Sequence, residues 1–208
     1  MELYKKDGIT IATIQETDKE KILKYFSENT FNCDYETGSL RPSESQFIKI
    51  MDDIISGKDD EQSILVIKKD NEVIGYLSMH VEYSRLNLGH IAVKKSERGK
   101  GYGKLLTKIA ILIAENDDRD INLYCAYPNG YLKKLGFTTH DNIHYMYKRR
   151  GIKTENIPKL FVTVEDYKNR MEEKQKKETE SFRKFLESGI LDILNGDKGN
   201  NRNMWWIT

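Results

Sequence analysis

The chain has 208 residues, 38% hydrophobic and 32% charged, with 34 basic and 33 acidic side chains and a formal net charge of +1. That length fits one ordinary domain with a sizeable appendage, or two small domains, and the near-neutral balance argues against nucleic acid or a membrane surface as a partner. No apolar run reaches a membrane span, "MELYKKDGIT" lacks a signal-peptide core, and Cys33 and Cys125 form no metal-binding or redox cluster, so a reduced, cytoplasmic protein without structural zinc is expected.

In chain order, "GITIATI" (8–14) is β-rich, and Thr17 with Glu20 predicts a capping box ahead of the amphipathic helix "KILKYFSEN". Residues 29–42 are polar and turn-rich. Ser43 and Gln46 open a second helix with Phe47, Ile50, Met51, Ile54 and Ile55 on its apolar side. "QSILVIKK" and "EVIGYLSMHVEY" are joined by "DN", a hairpin signal, and "LNLGHIAV" is a third strand. A helical period runs through 102–115, "RDINLYCAY" reads as a central strand, "GYLKKLGF" as a short helix ended by Gly136, and "FTTHDNIHYMYKRR" as a hairpin-like pair. His140 and His144 are four apart, but in a strand or turn and with no third ligand, so no metal site is expected.

Beyond Gly151, "IPKLFVTV" (157–164) reads as one more strand. Thr163 and Asp166 then cap a long charged helix over about 165–194. Its middle, "EEKQKKETES", has no apolar residue, whereas Phe182, Phe185, Leu186, Ile190 and Ile193 form a stripe expected to pack against something. "NGDKGNNRN" and "MWWIT" close the sequence. The order β-α-α-β-β-β-α-β-α-β-β, plus an appended helix, predicts an α/β (α+β) fold: a mixed sheet with helices on both faces.

The most informative stretch is "HIAVKKSERGKGYGKLL" (90–106), a strand, a basic glycine-dense turn and a helix. A Walker A loop fails here, because Arg98 stands where its first Gly belongs and Leu105 where its hydroxyl belongs. A GxGxxG dinucleotide fingerprint fails at Lys104. What remains is Arg98-x-x-Gly101-x-Gly103, a turn whose N–H groups, at the positive end of a helix and beside Lys100 and Lys104, suit a phosphate.

This turn resembles the acetyl-CoA signature of the GNAT superfamily of N-acetyltransferases, Arg/Gln-x-x-Gly-x-Gly/Ala, and "GYLKKLGF" resembles that family's second signature. The resemblance covers about residues 8 to 150. It implies a GNAT domain over 1–150, an extension over 151–208, acetyl-CoA as co-substrate and no metal. By the same resemblance, the amides of Arg98, Gly99, Lys100, Gly101, Tyr102, Gly103 and Lys104 hold the CoA pyrophosphate. Ile91, Ala92 and Val93 run beside the pantetheine arm, with Ile91 N–H polarising the thioester carbonyl, and the next strand splays away to leave a notch for the acetyl group.

The pattern departs at the general acid. Many relatives carry a tyrosine four residues before the Gly of "LGF"; here that residue is Leu132, which leaves Tyr131 or Tyr127. For the base, Glu82 or ordered water is expected. Strict strand alternation puts Asn87, Gly89, Ile91 and Val93 on one face and His90 on the other, so His90 reads as a packed histidine. Cys33, Asp34, Tyr35 and Glu36, in the loop between the early helices, suit a cationic amine. The expected activity is acetyl transfer to a primary amine of a small molecule or protein. The alternative is a catalytically weak acyl-CoA binder acting as a sensor or interaction module. The C-terminal helix is expected to support a homodimer or partner docking.

Overall fold

The computed structural model describes residues 1–28, 42–124, 130–139, 144–154 and 157–195, with side chains as far as Leu123 in the sixth strand and Glu187 in the last helix. Two compact units divide the chain, Met1–Val164 and Glu165–Thr208.

The first unit is built on one sheet of eight strands: β1 (Glu2–Lys6), β2 (Ile9–Thr13), β3 (Gln62–Lys69), β4 (Glu72–Glu82), β5 (Arg85–Val93), β6 (Asp120–Tyr124), β7 (Thr138–Thr139) and β8 (His144–Tyr147). Their spatial order is β1-β2-β3-β4-β5-β6-β8-β7. Of these pairings, β5–β6 is parallel and the rest are antiparallel, so the sheet is mixed as expected. The β3–β4 turn has Asp70 and Asn71 both at positive φ, the conformation a tight hairpin needs. β1 was not anticipated; it joins β2 through Asp7-Gly8, also both at positive φ.

The helices are α1 (Lys19–Glu28), α2 (Glu44–Ile55), α3 (Tyr102–Asn116), α4 (Gly130–Lys134) and α5 (Val164–Asn195). The Ser43/Gln46 capping box of α2 forms in both directions. The box expected from Thr17 and Glu20 does not: a 3₁₀ turn (Glu16–Asp18) precedes α1, and Asp18 accepts from Gln15 N–H instead. Asp18 is buried and paired at 2.7 Å with Lys68 of β3, so the tertiary ion pair fixes where the helix starts.

One face of the sheet packs under α1 and α2, where Ile22, Phe26, Phe47, Met51, Ile64, Val66, Tyr76 and Ala92 form a buried cluster. Phe26 and Phe47 stack at 4.2 Å; fully burying each such side chain contributes about 1.5–3 kcal/mol. α3 contributes the buried residues Leu106, Ile109, Ala110, Ile113 and Ala114.

Residues 157–163 are not the strand their apolar run predicts. Phe161 and Val162 are buried, but one backbone hydrogen bond, Val162 N–H to Asp60 O at 3.0 Å, takes the place of a ladder, and the buried Arg119 guanidinium donates to Val162 O. α5 forms where expected and its charged middle is exposed throughout. The apolar stripe is exposed as well: Phe182 is 62%, Phe185 68% and Leu186 45% accessible, while the side chains of Ile190 and Ile193 lie outside the described residues. Among the described residues no helix is long and apolar enough to cross a membrane.

Candidate functional site

The glycine turn follows β5 directly. Lys95–Glu97 makes one 3₁₀ turn, Arg98 is extended, and its Nε donates back to Val93 O at 3.0 Å, which ties the guanidinium over the strand end. Gly99 and Gly101 stand at φ +79° and +90°, where a side chain is strained, although an added Cβ at either would meet nothing within 4 Å. These glycines are required by backbone conformation and not by lack of room. Gly101 is the N-cap of α3 and offers no side-chain cap, so the first-turn N–H groups of Tyr102, Gly103 and Lys104 have no acceptor within the helix. Glu97, the acid in this turn, is held below the usual carboxylate range by the hydrogen bond from Lys100, and Lys69 also pairs with it. Lys100 is therefore partly spent on Glu97. The cradle of unsatisfied N–H groups at a helix N-terminus fits an anionic diphosphate.

Among the described residues β5 and β6 pair from Arg85↔Asp120 to Leu88↔Leu123 and β5 runs on to Val93; residues 125–129, where the expected notch would open, lie outside the described residues. Beside this point β5 carries a bulge that strict alternation missed. Leu88 faces Met79 and Ile91 faces Leu77, so three steps on β5 match two on β4. The bulge is held by Ser78 Oγ, which accepts from His90 N–H at 2.8 Å. A Cβ at Gly89 would sit 2.6 Å from that same oxygen, which excludes any side chain there without displacing the hydroxyl. The extra residue shifts the phase: Ile91 and Val93 share the face of Leu88, and Asn87 lies on the opposite one with Ala92. The expectation that Asn87 and Ile91 share a face is therefore corrected. Ile91 points toward the start of α3, its Cγ2 3.9 Å from where a Cβ on Gly103 would lie.

His90 packs edge-on against Phe26, with centroids 5.7 Å apart, in keeping with a structural histidine. Leu132 is fully buried, and its carbonyl accepts from Leu135 and Phe137 N–H, so the position where relatives carry a tyrosine is a core position here. Tyr131 is half-buried. Tyr127, Cys125, His140 and the loop residues Cys33, Asp34, Tyr35 and Glu36 lie outside the described residues. Glu82 is exposed at the end of β4, and Asn87 Nδ2 lies 3.5 Å from its Oε2.

Sequence reasoning passed over His80. It shares a face with Glu82, two residues on, and desolvation holds its imidazole below the usual histidine range even though more than a third of the residue is accessible. The period-2 spacing of His80 and Glu82 was the available signal.

A family model described as "Acetyltransferase (GNAT) family" matches residues 24–137, more than half of the chain, and the chain belongs to that family. Solved structures agree in fold. PaiA N-acetyltransferase from Thermoplasma acidophilum in complex with coenzyme A superposes at TM-score 0.54 and 18% identity, covering 69% of this chain and 99% of that one. Glucosamine-6-phosphate N-acetyltransferase from Arabidopsis thaliana gives 0.51 and 18%, covering 65% and 95%. A GNAT family acetyltransferase from Brucella melitensis in complex with acetyl-CoA gives 0.50 and 17%, covering 74% and 94%. No curated protein matches the chain in sequence.

Proposed function

We propose that the protein is an acetyl-CoA-dependent N-acetyltransferase that carries the acetyl group to a primary amine of a small molecule or a protein by direct attack. The observation that carries this reading is the uncapped, positive-φ turn at Gly99–Lys104, set between the end of β5 and the start of α3. In this reading the N–H groups from Arg98 to Lys104 hold the pyrophosphate, and the strand Ile91–Val93 aligns the pantetheine arm. The Ile91 N–H is aimed at the thioester oxygen, where negative charge develops during attack. Glu82, directly or through water, takes the proton of the amine, and Tyr131 or Tyr127 protonates the departing thiolate. Residues 1–150 are taken as the acetyltransferase module, residues 151–208 as its extension, and a cytoplasmic setting is proposed. α5 is offered as a homodimer contact, which a change in light scattering from a dimer's mass to a monomer's on removal of residues 165–208 would support and an unchanged number of subunits would refute.

The test is release of free thiol from acetyl-CoA over a panel of amines, alongside calorimetric titration of acetyl-CoA. No binding of acetyl-CoA sinks the proposal. Binding without turnover on any amine favours the second reading, a non-catalytic acyl-CoA binder, which the burial of Leu132 at the usual tyrosine position supports. In an active enzyme, Tyr131→Phe is expected to lower kcat by about a hundredfold or more; an unchanged kcat passes the acid role to Tyr127.

A further inference from the structure

The α1–α2 face of the sheet changes character along its strands. Val66, Tyr76 and Ala92 make one buried row of cross-strand neighbours, and Ile64 with Ser78 makes the next. The third row, Gln62, His80, Asn87 and Asn122, is polar across β3 to β6 and ends on Met146 of β8, and the fourth is Glu82, Arg85 and Asp120. On the opposite face the same strands carry Val81, Leu86, Leu88, Ile121 and Leu123, all buried.

Polar side chains at mid-sheet ordinarily find partners. Gln62 has one, since its Nε2 donates to Asp59 Oδ2 at 2.7 Å. Asp120 has one in Lys148, also at 2.7 Å. Asn87 reaches Glu82 only at 3.5 Å. The side chains of half-buried Asn122 and exposed His80 make no hydrogen bond among the described residues. The row lies one residue before Leu88↔Leu123, the last β5–β6 pair among the described residues, and the glycine turn lies at the far end of the same β5. A thioester arm laid back along β5 from that turn therefore points its acyl carbon toward this row.

We infer that His80, Asn87, Asn122 and Glu82 form the floor that selects the acceptor, and that the acceptor is a primary amine on a hydrogen-bonding skeleton, with hydroxyl or amide groups close to the nitrogen. This rests on the N-acetyltransferase reading. Each asparagine amide offers two N–H donors and a carbonyl acceptor, and Glu82 offers a carboxylate for the ammonium form of the amine. A hydroxylated or amide skeleton replaces the water on these groups with new hydrogen bonds. An alkyl skeleton strips that water and returns nothing, which is costly for every amide it covers.

The test titrates the full-length, CoA-saturated protein with serinamide and, in parallel, with hexylamine. Both are primary amines, and they differ in hydrogen-bonding capacity. Affinity is read by calorimetry and contact by NMR shifts of the asparagine side-chain NH₂ groups. Serinamide is expected to bind about tenfold or more tighter, and Asn122→Val to weaken it by about five- to tenfold, the loss of one net hydrogen bond. CoA affinity stays unchanged in that variant and hexylamine binding holds or tightens, since one amide fewer is stripped of water; Asn122→Ser, still polar, retains part of the preference. Equal affinity for the two amines, tighter hexylamine, or serinamide binding that Asn122→Val leaves intact overturns the inference. The wild-type comparison holds whether or not either variant folds. Failure of CoA itself to bind strikes the acetyltransferase reading, whereas failure of the amine preference alone strikes only the floor.

Discussion

The two ends of α3 are finished in opposite ways. At its N-terminus, Gly101 provides no cap, and three successive N–H groups are left for something outside the protein. At its C-terminus the protein supplies everything itself. Lys153 Nζ donates to the carbonyls of Glu115 and Asn116, the Asn116 amide donates to Thr154 O and Ile157 O, and the buried Glu115 carboxylate accepts from Tyr147 Oη, Arg150 N–H and Ile152 N–H. Burial pushes the Glu115 carboxyl up, but those hydrogen bonds outweigh it and hold it below its usual range, while Tyr147 is pushed up to about 12 by burial and by Glu115. A helix closed so thoroughly at one end and left bare at the other is the arrangement the proposed diphosphate cradle requires.

Three substitutions separate the ends, and a fourth probes the bulge in β5. The largest effect is expected at the open one: Gly101→Glu puts a side chain at φ +90° and a negative charge into the cradle. Acetyl-CoA affinity should fall by about a hundredfold or more, because charge-assisted hydrogen bonds are lost, with far-ultraviolet circular dichroism unchanged. Glu115→Gln attacks the closed end. It should cost about 2–4 kcal/mol in urea unfolding, since buried donors lose a charged acceptor, while acetyl-CoA affinity holds. Loss of cofactor affinity there would mean that the two ends are not independent.

Asp117, just past the closed end, has a buried Oδ2 without a partner, and desolvation raises its carboxyl from 3.8 to about 6. The native state thus holds this proton more tightly than the unfolded chain, so stability declines as pH rises from about 4 to 6, by about 2–3 kcal/mol in all. Asp117→Asn should raise the urea midpoint at pH 7.5 and make no difference near pH 4; a gain that is the same at both pH values would refute the assignment. The smallest effect belongs to Gly89→Ala, which forces Ser78 Oγ off His90 N–H. It should cost about 1–2 kcal/mol and slow turnover with acetyl-CoA affinity intact; full activity would show that the bulge does not set the Ile91 N–H.

The same contrast explains what could be read in advance. The open end is made of backbone, so it needs glycines at fixed offsets, and Arg98-x-x-Gly101-x-Gly103 is visible as spacing alone. The early helices, the β3–β4 hairpin and the order of the central strands were equally legible, because each follows from local periodicity and turn chemistry. The closed end was not legible, since Glu115 finds its partners 32 to 37 residues later. Nor was the bulge, which depends on a hydroxyl from a neighbouring strand and reverses the face of Asn87. Residues 157–163 have a strand's composition, but the contacts that hold them come from Asp60, Asn116 and Arg119, which the segment itself does not reveal. Leu132 illustrates the limit within the site: its departure from the usual tyrosine is plain in the sequence, but its burial is not.

The unanticipated β1 has a consequence for colloidal behaviour. "ELYKK" places three charged residues on the outer strand of the sheet, the position where unpaired backbone groups invite another chain to add. Charged edges discourage such addition. The strand it shields, "ITIAT", carries no charge and is flanked on its other side by the apolar β3. Shortening the N-terminus to Gly8 would turn that uncharged strand into the border, and self-association into fibrous or amorphous material would be the first symptom, well before any loss of fold.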